Sequence, residues 1–80
     1  MKVECKLYSS LERRFREKRG TRPPLVFDLA ENTTVSNLLA DLDVPLASVK
    51  LIFVNGIHRD RDTILREGDR VGVFPPVAGG

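Results

Sequence analysis

The sequence predicts an α+β fold: one sheet of four to five strands with a helix packed across one of its faces. Three observations carry this. Segments 2–8, 25–29 and 70–74 alternate apolar and polar residues with a period of two, the pattern of strands with one buried face. Val35, Leu38, Leu39 and Leu42 recur at i, i+3, i+4 and i+7, which places one apolar stripe on a helix. A further apolar run, 49–54, is closed by Asn55-Gly56, a dipeptide suited to the tight turns that join hairpin strands.

In the first segment Val3, Cys5 and Leu7 share a face, with Lys2, Glu4, Lys6 and Tyr8 on the other. Cys5 therefore reads as a small core residue. Ser9-Ser10 breaks the run. Leu11 and Phe15, four apart, are placed to anchor a helical turn that ends near Gly20. Arg22-Pro23-Pro24 restricts the backbone and leads into a second strand, with Leu25, Phe27 and Leu29 facing one way and Val26 and Asp28 the other. Two such strands joined by a polar connection make an antiparallel hairpin with a long tip the simplest arrangement. Thr34 is a good N-cap for the amphipathic helix, and Pro45 stops it. After the Asn55-Gly56 turn, Ile57 and His58 begin a short return strand. Arg59-Asp60-Arg61-Asp62 reads as an exposed connection, and Thr63-Ile64-Leu65 as a helical turn that drops Ile64 or Leu65 onto the core. Glu67-Gly68-Asp69 is a turn, and Arg70 to Phe74 is the last strand, with Val71 and Val73 inward.

Eighty residues is near the size at which a single hydrophobic core becomes marginal, so a deep internal active site is not expected. Function must then lie on the surface or at an end. Hydrophobic content of 41% and charged content of 30% suit a globular domain. No apolar run is long enough to span a membrane, no leader pattern is evident, and the single cysteine excludes an intrachain disulfide; a cytoplasmic location is the default. The net charge of +2 conceals a basic cluster, Arg13, Arg14, Arg16, Lys18, Arg19 and Arg22, against Glu12 and Glu17. Such a cluster fits a solvated loop or short helix, or a contact with nucleic acid or an acidic protein. Without interleaved aromatics it lacks the stacking platforms of single-strand binders, which disfavours nucleic acid. No spacing of His58, the carboxylates and Cys5 resembles a metal site, and no glycine-rich phosphate motif is present, so no bound cofactor or metal is expected.

The remaining stretch is Pro75-Pro76-Val77-Ala78-Gly79-Gly80. The prolines fix φ and favour an extended run, whereas two glycines without Cβ atoms can thread a narrow slot and leave the acyl carbon open. At roughly 3.1 to 3.5 Å per residue such a tail reaches about 20 Å, enough to enter another protein's active site. Residues 1–74 read as the domain and 75–80 as an extended tail.

Hairpin, helix, then three strands is the order of the ubiquitin-like β-grasp, a mixed sheet with one helix across it. Several pieces of the chain resemble the small sulfur carriers of the MoaD and ThiS family. They are the Thr34 cap with Val35 and Leu38-Leu39, the Val54-Asn55-Gly56 turn, Leu65 to Val71, Leu7 to Leu11, and Phe74 to Gly80. Pro-Pro-Val before the glycines is closer to the small subunit of molybdopterin synthase than to the thiamine carrier. The Arg-rich segment is longer and more basic than the family's usual loop.

The resemblance implies a protein that is a sulfur donor and not itself an enzyme. A separate MoeB/ThiF-like adenylyltransferase, which binds and uses the ATP, joins Gly80 to AMP; a sulfur-donor protein converts the acyl adenylate to a thiocarboxylate; a larger MoaE-like synthase subunit receives the sulfur for the molybdopterin or tungstopterin cofactor. Gly80 and Gly79 would carry the chemistry. Thiamine thiazole synthesis, tRNA thiolation, ubiquitin-like conjugation and noncovalent binding through segment 13–22 stay open as alternatives. In a β-grasp the first and last strands are parallel neighbours, so Tyr8 and Phe74 should meet near the tail on the face away from the helix, joined by Phe53. With Pro75, Pro76, Val77 and Ala78 they form the expected partner-binding surface of a free monomer.

Overall fold

The computed structural model describes residues 1–20 and 25–76. In chain order the elements are β1 (Lys2–Leu7), α1 (Ser9–Arg19), β2 (Leu25–Asp28), α2 (Val35–Asp41), a 3₁₀ turn (Leu46–Ser48), β3 (Leu51–Val54), β4 (Ile57–His58) and β5 (Arg70–Phe74). The strands form one mixed sheet in the order β2-β1-β5-β3-β4. β1 and β5 run parallel at its centre, and the other pairs are antiparallel.

Register follows from burial. Cys5 and Leu7 stand opposite Val71 and Val73, which in turn stand opposite Val54 and Ile52, so the inward residues of three strands form continuous rows. All six are buried, and Val35, Leu38, Leu39, Leu42, Val44 and Leu65 join them in one core. A one-residue slip of any strand would turn its inward row to solvent, losing about 1.5–3 kcal/mol for each large apolar side chain exposed. Among the described residues no helix covers the sheet's second face.

Two helices, not the single one expected, lie on the core side. α2 starts as its sequence suggests: the Thr34 hydroxyl accepts from the Asn37 N–H (3.1 Å) while the Asn37 side chain accepts from the Thr34 N–H (3.3 Å). It stops at Asp41, before Pro45, because Asp43 takes a left-handed conformation (φ 58°). α1 grows from the anticipated turn into 11 residues. Leu11 and Phe15 are its only buried residues, and after Ser9 and Ser10 the other positions are Arg, Glu and Lys, good helix formers. Glu12 pairs with Arg16 one turn on (3.5 Å), and Gly20 closes the helix at φ 72°, its N–H donating to the Arg16 carbonyl (2.7 Å). Arg22, Pro23 and Pro24, expected to lead into β2, lie outside the described residues.

The second correction concerns Thr63-Ile64-Leu65, which is extended and not helical. Ile64 bridges Thr34 antiparallel, with Val35 N–H donating to the Thr63 carbonyl (3.0 Å) and Leu65 N–H to the Thr33 carbonyl (2.8 Å). The Asp60 carboxylate ties the preceding turn by accepting from the Asp62 N–H (2.9 Å). In an extended segment neighbouring side chains point opposite ways, so Leu65 enters the core (2% exposed) and Ile64 faces solvent (53%). β3 likewise begins at Leu51, later than the apolar run suggests, since the 3₁₀ turn holds the chain through Ser48.

The β3–β4 turn is Asn55-Gly56, both at positive φ (54° and 79°), as a two-residue hairpin turn requires. Asn55 also clamps the start of β5: its side-chain oxygen accepts from the Arg70 N–H (3.0 Å) and its amide donates to Asp69 Oδ1 (2.9 Å). The other Asp69 oxygen accepts from the Arg66 N–H (2.8 Å), which shapes the Glu67-Gly68 turn. The Val-Asn-Gly and Leu-Arg-Glu-Gly-Asp-Arg-Val motifs are thus two halves of one joint.

Candidate functional site

The open face of the sheet carries an aromatic cluster where β5 ends. The parallel pairing of β1 and β5 continues as Tyr8 N–H donates to the Val73 carbonyl (3.1 Å), which sets Tyr8 beside Phe74. Their rings stack with centroids 4.2 Å apart and an interplanar angle of 9°. Phe53 reaches Phe74 from β3 edge-on, at 5.6 Å and 84°. The edge-on pair sets a positive ring edge against a negative ring face, worth about 0.5–1.5 kcal/mol beyond burial. All three expected residues are brought together, and each stays half-buried.

Three further residues complete this surface and were not singled out from the sequence. Gly72 lies beneath the stacked rings, and a Cβ there would sit 3.5 Å from Tyr8 and 3.7 Å from Phe74. Its signal is an outward-facing glycine inside a strand. Lys6 holds its Nζ 5.1 Å above the Tyr8 ring, a cation–π arrangement. Leu51 pairs with Phe74 in register and extends the apolar surface at 38% exposure. A shallow hollow of about 390 Å³ lies among Tyr8, Phe53, Gly72 and Phe74.

Phe74 hands the chain directly to Pro75, half-buried, and Pro76, exposed. The Phe74 carbonyl still accepts from the Lys50 N–H (2.8 Å), so the backbone is held up to the first proline. Val77, Ala78, Gly79 and Gly80, the remaining residues expected to act, lie outside the described residues.

Cys5 is 1% exposed between strands, and burial pushes its thiol up to about 12. A thiol so held is a poor nucleophile near neutrality. His58 is exposed on β4, its ring 5.7 Å from Phe53. Among the described residues no three His, Cys, Asp or Glu side chains converge on a common point, and no helix is long and apolar enough to cross a membrane. At the far end of α1, Arg19 reaches Asp43 (2.7 Å) and the Asp41 carbonyl (3.2 Å). The hydrogen bond from Arg19, its charge and that of Lys18 hold the Asp43 carboxyl below the usual carboxylate range.

The profile of the ThiS family matches residues 12–80, all but the first eleven. The chain belongs to the ThiS family. Its members are small β-grasp sulfur carriers, and the two motifs joined at Asn55 fall within the matched span. Among solved structures, this ThiS-family chain is similar to a Pyrococcus furiosus protein provisionally named molybdopterin converting factor subunit 1. The identity is 29% and the TM-score 0.69, over 96% of this chain and 99% of that one. It shares its fold with small archaeal modifier protein 1 of Haloferax volcanii (23% identity, TM-score 0.70, 95% and 98% covered). The same holds for a chain from the Helicobacter pylori complex of molybdopterin-converting factor subunits 1 and 2 (24% identity, TM-score 0.59, both chains covered in full). No curated protein is significantly similar in sequence.

Proposed function

We propose that this ThiS-family carrier supplies sulfur for a molybdopterin or tungstopterin cofactor, on a thiocarboxylate formed at Gly80. The observation that carries the reading is the Tyr8–Phe74–Phe53 cluster at the root of the strand that leads into Pro75-Pro76-Val77-Ala78-Gly79-Gly80. It supplies a half-buried aromatic anchor at the end of the strand that precedes the glycines in sequence, and Tyr is among the residues enriched at the energetic centres of docking surfaces. Residues 75–80 act as an extended tail on the domain formed by 1–74.

The chemistry needs no catalytic group from the carrier. In an adenylating partner a Gly80 carboxylate oxygen attacks the α-phosphorus of ATP and pyrophosphate leaves. A sulfur nucleophile at the oxidation level of sulfide then adds to the acyl carbon and AMP departs, giving the thiocarboxylate. This carrier contributes position: docking through Tyr8, Phe53 and Phe74 makes delivery of the tail effectively intramolecular. Gly79 and Gly80 fit a slot closed to larger residues, and Pro75 and Pro76 stiffen the approach. Sulfur does not travel on Cys5, whose burial keeps it protonated. The receiving partner is a larger synthase subunit, a reading supported by the Helicobacter pylori complex of subunits 1 and 2. The Pro-Pro-Val sequence favours this destination over thiazole synthesis.

The test is incubation with MoeB/ThiF-like adenylyltransferases, ATP and a sulfide source, followed by intact mass measurement. A gain equal to the mass difference between sulfur and oxygen, lost when Gly79 and Gly80 are deleted, is the expected result. Transfer of that sulfur on adding a MoaE-like subunit and a pterin precursor assigns the pathway. An unmodified mass with every activating enzyme refutes the carrier chemistry.

A further inference from the structure

The cationic helix α1 has no part in the chemistry above, yet the fold sets its first turn beside the end of β5. β1 and β5 are parallel and end together, and α1 starts at Ser9, immediately after Tyr8, which is bonded to Val73. Its buried residues, Leu11 and Phe15, join the core, so α1 lies on the opposite side of the sheet from the Tyr8–Phe74–Phe53 cluster. A protein that swallowed the tail would meet aromatic rings on one side of its slot and α1 on the other.

The charges of α1 are only partly spent within the chain. Five cations, Arg13, Arg14, Arg16, Lys18 and Arg19, stand against Glu12 and Glu17. Arg16 pairs with Glu12 and Arg19 with Asp43. Arg13, Arg14 and Lys18 are exposed and form no ion pair with any described residue. Arg14 and Lys18, one turn apart, rim a groove of about 360 Å³ between α1 and Leu42–Pro45.

Resting on the carrier reading, we infer that Arg13, Arg14 and Lys18 form a second recognition element, which engages carboxylates flanking the tail slot of the adenylating enzyme. Protein carboxylates fit better than nucleic acid. Phe15, the helix's only aromatic residue, is buried and offers no stacking platform, and Glu17 and Asp43 interrupt the positive field that a phosphate backbone would follow. The adenylating enzyme fits because the carrier must leave it after each turnover. Long-range charge speeds encounter without slowing release, which suits a substrate more than a permanent subunit.

The test compares the full native chain with R13E/R14E/K18E in ATP–pyrophosphate exchange by the MoeB/ThiF-like enzyme of the same cells. At low salt the variant should show KM for the carrier raised by about tenfold or more, with kcat unchanged. The gap should close near 1 M salt, where the Debye length is about 3 Å. R13K/R14K should behave like the native chain, and equal far-ultraviolet circular dichroism would show that the fold is intact. Equal KM values at low salt, or a loss that persists undiminished at high salt, overturn the inference. If the native chain is not adenylated at all, the carrier reading is what fails. The helix is then judged by NMR titration of the native chain with a polyglutamate peptide and with polyuridylate. Peptide-induced shifts on α1 that vanish in the variant uphold carboxylate recognition; stronger shifts with RNA, or none with either, overturn it.

Discussion

Replacing Asn55 isolates the joint that aligns β5. Asn55→Ala removes two side-chain hydrogen bonds, from the Arg70 N–H and to Asp69 Oδ1, and places alanine at φ 54°. Both bonds are solvent-exposed, so each contributes at the low end of the usual range, about 0.5–1 kcal/mol. The left-handed conformation, which asparagine tolerates, costs alanine about 1 kcal/mol more. The sum is about 2–3 kcal/mol, a large part of the roughly 4–12 kcal/mol typical for a chain of this size. Asn55→Gly loses the same bonds without the conformational penalty and should cost about 1–2 kcal/mol. Urea unfolding followed by circular dichroism measures both, with an unchanged m-value showing that the unfolding transition is the same. A double-mutant cycle with Asp69→Ala should give a coupling of about 0.5–1 kcal/mol. A loss under about 0.5 kcal/mol for Asn55→Ala, equal losses for alanine and glycine, or zero coupling would each refute the clamp as described. Because the clamp sits at the end of β5 away from the tail, KM for adenylation should not change while the chain stays folded.

Phe74→Ala should do the reverse. It removes the stacked and edge-on contacts at a cost of about 1–3 kcal/mol, and it should also raise KM with the activating enzyme; an unaltered KM would remove the cluster from the docking surface. Leu65→Ala should cost about 2–5 kcal/mol and Ile64→Ala less than about 0.5 kcal/mol in the same unfolding assay, whereas a helical turn through these residues would bring the two values together. For Cys5 the folded chain keeps a proton that the unfolded chain loses, because its thiol is raised from 9.0 to about 12. Its contribution is complete below pH 9 and is lost as pH rises towards about 12, so stability should fall across that window more steeply than in Cys5→Ala. Native Cys5 should also label with Ellman's reagent only at the rate of opening.

Period and punctuation made most of the architecture legible. Alternation in β1, β2 and β5 gave their inward faces, the Thr34 cap and the Val35-Leu38-Leu39 stripe gave α2, and Asn55-Gly56 gave the hairpin. These signals are local, set by backbone geometry within a few residues, so a sequence displays them. Where local signals were thin, the reading was incomplete. α1 had a single apolar pair to announce 11 residues, since charged helix formers fill its exposed surface without leaving a stripe. Thr63-Ile64-Leu65 is too short to display a period, and its backbone groups are satisfied by Thr33 and Val35, remote in the chain.

The amino-acid sequence by itself determined which faces are apolar, where the chain turns, and that residues 75–80 carry no side chain able to attack, donate a proton or bind a metal. The resemblance to the β-grasp, in which first and last strands are parallel neighbours, placed Tyr8 beside Phe74 in advance. Only the tertiary structure decided that Gly72 seats the stacked rings, that Asn55 and Asp69 form one joint, and that α1, which carries Arg13, Arg14 and Lys18, starts where β5 ends. Each of these depends on distances between residues remote in the chain. Such distances are set by how the sheet twists and the helices pack, which no local pattern records.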